Sequence, residues 1–98
     1  MPMTLADIPD SKANILLEVL IKRNKQDEKW GVEDHLPDKW IAILAEELGE
    51  AAKAGLEAYP VTDRLVSRRQ AMKEWRDELV DVMATAMAAI ESYQREWE

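Results

Sequence analysis

Apolar residues recur at helical spacing in three stretches of this chain, and short polar or proline-bearing breaks separate them. In the first stretch Ile15, Leu16, Val19 and Leu20 share one face, and Asp10 or Ser11 is placed to cap it. Its second half, Lys22 to Lys29, is charged, and Gly31 is the expected stop just after Trp30. Residues before Asp10 read as a loose lead-in, and residues 31–36 as a polar connector. The second stretch opens on Pro37, which suits a first helical turn, with Asp38 favouring the positive end of the helix. It runs through Ala54, fades between Gly55 and Ala58, and ends at Tyr59-Pro60.

The third stretch has two candidate starts, Thr62 and Ser67, and Ser67-Arg68-Arg69-Gln70 has the form of a capping box. The spacing favours a helix from Ser67 to about Tyr93, after a connection over 59–67 with a short turn near Arg64–Val66. From Leu79 to Ile90 this helix is apolar almost all round, which predicts burial on every side, often by a partner subunit.

Polar residues interrupt these apolar arcs at four positions. Glu47 falls inside the arc formed by Trp40, Ile41, Ile43, Leu44, Leu48 and Ala51, and Glu50 lies at its edge. Glu78 and Asp81 fall on a narrow stripe of the third helix with Glu74 and Thr85. Each pair is spaced i, i+3 and so occupies one helix face. An antiparallel hairpin centred near residue 64 sets the pairs opposite one another, and this geometry is why Ser67 is the favoured start. Two carboxylates about 4 Å apart repel by roughly 4 kcal/mol at an effective dielectric of 20, so four in one cleft need protons or a cation. Oxygen ligands without His or Cys select Mg²⁺, Mn²⁺ or Ca²⁺, and rigid helices without a Ca²⁺ loop favour Mg²⁺. The competing explanation is an acidic seam that pairs with Arg68, Arg69, Lys73 or Arg76 of a neighbouring chain.

Composition narrows the class. The 98 residues are 47% hydrophobic, enough for the core of one domain spanning 1–98. Only three Gly, four Pro and no Phe accompany abundant Ala, Leu, Glu, Lys, Arg and Met, so the expected class is all-α. The net charge of −7 argues against nucleic-acid polymers and anionic membranes, but not against a phosphorylated small molecule held through a metal. There is no cysteine, no basic flank and apolar run at the start, and no stretch long enough to span a bilayer, so the reading is cytoplasmic.

Glu46-Glu47-Leu48-Gly49-Glu50, followed by Glu78-Leu79-Val80-Asp81, resembles the Glu-x-x-Glu and Glu-x-x-Asp motifs of the MazG-like family of all-α nucleoside triphosphate pyrophosphatases. Lys29-Trp30-Gly31, the run Trp40-Ile41-Ala42-Ile43-Leu44-Ala45 and the ending Ala88-Ala89-Ile90-Glu91 look like it as well, so the resemblance covers roughly residues 20–93. It implies an antiparallel helical bundle completed by homo-oligomerisation into a dimer or tetramer. It also implies hydrolysis of a nucleoside or deoxynucleoside triphosphate to the monophosphate and pyrophosphate. Glu47, Glu50, Glu78 and Asp81 become the Mg²⁺ ligands, with Mn²⁺ as a substitute, and Glu46 is an extra acid beside the attacking water. Thr85 stands where some relatives carry an Asn near the nucleotide. Phosphate contacts fall to Lys22, Arg23, Lys25, Lys29 or Lys53, and Trp30 either stacks on a base or packs. Trp40 and Trp75 read as core, and His35 as a surface residue. The alternative function is a non-catalytic helical oligomerisation or nucleotide-binding module.

Overall fold

A glycine ends the first helix. Gly31 has φ +76° and ψ 176°, a conformation essentially reserved for glycine, and its N–H donates to the Asp27 carbonyl at 2.9 Å. The computed structural model describes residues 2–58 and 65–98 and is all-helical: α1 (Asp10–Trp30), α2 (Pro37–Ala58) and α3 (Leu65–Trp97). The residues before α1 contain one short turn. A 3-10 turn, Leu5–Asp7, is held by the Asp7 carboxylate, which accepts from Thr4 N at 2.9 Å and from Thr4 Oγ1 at 3.0 Å. Pro9, rather than Asp10 or Ser11, occupies the N-cap of α1, and no side-chain cap forms there.

α3 begins at Leu65, two residues before the expected Ser67, and continues four residues past Tyr93 to Trp97. Tyr59-Pro60, Thr62 and Arg64 lie outside the described residues. α3 is the shared element: α1 and α2 both pack on it rather than on one another among the described residues. α2 runs antiparallel to α3, with Gly55 against Trp75 at one end and the connector's His35 N donating to Ser92 Oγ at 3.4 Å at the other. α1 runs parallel to α3: Glu18 meets Arg76, Lys22 meets Asp81 and Arg23 meets Glu91. Small residues make the close approach possible, since Ala51, Ala84 and Ser92 are all fully covered. A Cβ on Gly55 would stand 3.2 Å from Trp75 Cδ1, so glycine is what lets α2 and α3 meet there.

The remaining core is thin. Val19 and Trp40 are the larger covered apolar side chains. Truncating Trp40 to Ala would cost about 3–5 kcal/mol. Two expectations are corrected here. Of the α1 face, only Val19 is buried, while Ile15, Leu16 and Leu20 stay 39–48% exposed, because α1 docks along the narrower stripe Val19, Arg23 and Gln26. Trp75 is 36% exposed rather than core, since it lies across Gly55 at the helix edge. On α2 and α3, Ile41, Leu48, Met83 and Ile90 also face outward. The radius of gyration is 16.0 Å, against about 13 Å for a compact 100-residue domain. The chain therefore presents far more apolar surface than its own helices cover. Among the described residues, no helix is long and apolar enough to cross a membrane.

Candidate metal centre and adjoining cavity

Stripes from three helices converge where α1 and α2 flank α3. α2 contributes Trp40, Ile43 and Glu47 at i, i+3 and i+7, with Glu50 one turn further on. α3 contributes Glu78, Asp81, Thr85 and Ala88, and α1 contributes Lys22, Arg23 and Gln26. The pairing register of α2 and α3 sets Glu50 opposite Glu78, as a hairpin centred near residue 64 requires.

One carboxylate oxygen from each of Glu47, Glu50 and Glu78 lies within 4.8 Å of the other two. Oxygens sharing a Mg²⁺ at about 2.1 Å stand roughly 3–4 Å apart, so small side-chain rotations bring this trio to ligating distance. Among the described residues, Glu78 Oε2 is buried and has no hydrogen-bond partner. A buried carboxylate oxygen without a donor is costly, and a cation or a proton is what relieves it. Burial pushes the Glu47 carboxyl above the usual carboxylate range, and the charges of Glu50, Asp81, Glu78 and Glu46 push it further. Glu78 is likewise raised, by burial first and then by Asp81 and Glu50, with Lys22 opposing. Donor chemistry, spacing and the orphaned oxygen all fit a hard divalent cation.

Asp81 is not in the trio. Its Oδ1 is paired with Lys22 Nζ at 3.0 Å, with side chains 25% and 41% exposed respectively. Glu46 is exposed on the next position of α2. Lys25 and Lys53 are exposed, and Lys29 sits over the Trp30 ring with Nζ 4.7 Å from its centroid. The cations of the alternative acidic seam are partly engaged within the chain: Lys73 pairs with Asp77 at 2.9 Å, and Arg76 pairs with Glu18 at 2.7 Å. Arg76 holds the Glu18 carboxyl below its usual range.

A cavity of about 310 Å³ lies between α1 and α2, with α3 contributing Thr85 and Ala88 to its wall. Trp30, Trp40, Ile43, Gln26, Thr85 and Glu47 line it, so it shares Glu47 with the carboxylate trio. Trp30 is 65% exposed at its edge, while Trp40 is only 9% exposed, with an indole Nε1 that is buried and unpartnered. His35 packs its ring 4.9 Å from that of Trp40 and reaches Glu33 Oε2 at 2.7 Å, so it is half-covered rather than a free surface residue. Arg23 is buried and committed: Nε donates to Glu91 at 2.7 Å, NH2 pairs with Asp27 at 2.8 Å, and NH1 donates to Gln26 Oε1 at 3.2 Å. That geometry does not leave it free for phosphate. Gln26 in turn donates to Thr85 Oγ1 at 3.4 Å.

Sequence reasoning overlooked Gln26, which looks like part of a solvated charged run. Its place on the stripe Val19, Arg23, Gln26 and Trp30 marks it as inward-facing. The connector borders the cavity through Gly31 and Glu33 and is tied to α3 by Arg95, which binds Asp34 at 2.8 Å and donates to the Glu33 carbonyl at 3.2 Å. No protein-family model matches the chain, and comparisons with curated proteins and with solved structures give no match either.

Proposed function

We propose that this chain hydrolyses a nucleoside or deoxynucleoside triphosphate to the monophosphate and pyrophosphate, with Mg²⁺, or Mn²⁺ in its place, held by Glu47, Glu50, Glu78 and Asp81. The observation that carries the reading is the carboxylate trio with its buried, unpartnered Glu78 oxygen. The sequence resemblance to MazG-like pyrophosphatases supplies the reaction class. Bound Mg²⁺ would supply neutralisation of the polyphosphate and a lowered pKa for water. The chain's own residues do the rest. Rigid helices fix the carboxylates, Glu46 stands exposed beside them as a proton acceptor for the attacking water, and Lys22 lies close enough to meet a phosphate once it leaves Asp81. Exposed Lys25, Lys29 and Lys53 are the further cations this reading assigns to phosphate contacts. Substrate and Mg²⁺ are those of the cytoplasm, where we place the activity.

The same reading takes the working form to be a homodimer or homotetramer. Support comes from outward-facing Leu20, Ile41, Leu48, Met83 and Ile90 and from the expanded chain dimensions. Those side chains equally suit a non-catalytic assembly module. Pyrophosphate release from a panel of NTPs and dNTPs with Mg²⁺ or Mn²⁺ separates the two. We expect turnover that Glu50→Ala abolishes with helical content unchanged. Undiminished turnover in that variant, or none in the native chain, would refute the assignment.

A further inference from the structure

Leu79, Met83, Ala86, Ile90, Tyr93 and Trp97 follow one another along α3 at spacings of four, three, four, three and four residues. From this stripe we infer that α3 pairs antiparallel with α3 of a second copy of the chain, in a two-fold coiled-coil seam. The inference rests on the homo-oligomeric reading above and adds which surface closes the assembly, and in which direction.

Apolar residues that recur every 3.5 positions keep one seam turned toward a partner helix, and the two helices then wind around each other. The stripe points away from the chain's own core. Thr85, Ala88 and Ser92 lie on the opposite face of α3, where they meet the cavity and the connector. Met83 and Tyr93 are exposed, Ile90 is 58% exposed and Trp97 72%, while Leu79 and Ala86 are half-covered. No charged residue stands on the stripe between Leu79 and Trp97. At 1.5 Å per residue it runs for about 27 Å. An uncharged seam of this length on a helix already packed along its other side calls for a second helix.

Charge at the border of the stripe sets the occupant and its direction. The spacing reads the same from either end. An antiparallel copy therefore sets Leu79 on the partner's Trp97, Met83 on the partner's Tyr93 and Ala86 on the partner's Ile90, so that every member is matched. Arg76 is the next residue of the stripe toward the start of α3. Its side chain stays 48% exposed even while it pairs with Glu18. In the antiparallel register it comes beside the end of the partner's α3, where carbonyls lack helical donors and the dipole is negative, within reach of the partner's Trp97 ring. A parallel copy would instead set Arg76 against the partner's Arg76, and like charges repel. One helix thus carries both halves of the match, the cation at its start and the negative end with its tryptophan at its finish.

The chain has no cysteine, so single cysteines introduced on the stripe report the pairing. Met83→Cys chains mixed with Tyr93→Cys chains and mildly oxidised should give a disulfide-linked dimer of one of each, because the register sets the two positions opposite. Met83→Cys alone should not link, since its two copies then stand about 15 Å apart along the helices. Ile90→Lys should lower the mass seen by light scattering by half or more, with helical content unchanged. The cysteine pair provides the test should Ile90→Lys fail to fold. Met83→Cys linking to itself as readily as to Tyr93→Cys, no link in the mixture, or an unchanged mass in folded Ile90→Lys overturns the inference. Failures are distinguishable. Any of those results in a chain that still self-associates sinks the seam and keeps the homo-oligomeric reading. A native chain that is monomeric at all concentrations sinks both and leaves the stripe to a helix of another protein.

Discussion

Lys22 on α1 places its ammonium 3.0 Å from Asp81 Oδ1 on α3, so the fourth acid of the two motifs is held by a cation of the chain's own. Both side chains are partly exposed, and such a pair is worth at most about 1 kcal/mol. A divalent ion drawing on Asp81 must displace it. Lys22→Met should therefore tighten Mn²⁺ binding by roughly fivefold, the equivalent of about 1 kcal/mol. Lys25→Met, which removes an exposed charge one turn away, should change it far less. If Lys22 also meets phosphate, turnover falls in the variant that binds metal better. Calorimetric Mn²⁺ titrations alongside the pyrophosphate assay measure both, and equal effects from the two substitutions would remove Lys22 from this role.

Stability of the metal-free protein should depend on pH in a particular direction. Glu47 and Glu78 have folded-state pKa values above the usual 4.5, so the folded chain holds protons that the unfolded chain releases. The penalty from these groups is present above their raised values and is relieved as pH falls through them toward 4.5. Glu18 and Asp34 act oppositely: their lowered values contribute stability that is lost in stronger acid. Thermal melts in a chelator should thus show a maximum at mildly acidic pH. Saturating Mg²⁺ should flatten the acidic rise, because ligation needs the deprotonated carboxylates. A chelated protein whose melting temperature does not change from neutral to mildly acidic pH contradicts close clustering.

Self-association has its own test. Leu48 is 57% exposed and Ile41 63%, both on the outward side of α2, so most of each side chain meets solvent in a single chain. Leu48→Lys should cost little in an isolated subunit and yet split a homo-oligomer, lowering the mass seen by light scattering by half or more. Monomeric native protein at all concentrations would contradict the oligomeric reading.

What the chain declares in advance, and what it conceals, follows from the range of each interaction. Gly31 and Pro37 bracket the connector through local backbone constraints, and both helix limits follow from them. Convergence of Glu47, Glu50 and Glu78 is legible because equal spacing about a hairpin centre is a matter of counting residues. Three features depend on α1 docking and are not. Lys22 on Asp81, Arg23 on Glu91 and Gln26 on Thr85 join residues 59 or more positions apart, and within α1 they read as solvated charge. α3 starts at Leu65, two residues ahead of the Ser67 capping-box sequence, which is the shift that reading helix ends from local signals allows. Helical periodicity marks Ile41 and Leu48 as apolar but does not say which element covers them. Trp75 is a like case: its apolar position does not reveal that one side of the ring meets Gly55 while 36% of the residue stays exposed.

The central claim is that oxygen ligands from α2 and α3 hold one hard divalent ion, and Mn²⁺ titration of the native chain against Glu78→Gln tests it most directly. Gln keeps the shape and removes the charge at the buried, unpartnered oxygen. We predict a saturable Mn²⁺ site in the native chain, weakened at least about 100-fold in the variant, with circular dichroism unchanged. Equal Mn²⁺ affinity in the two proteins, or no saturable binding by either, would contradict it.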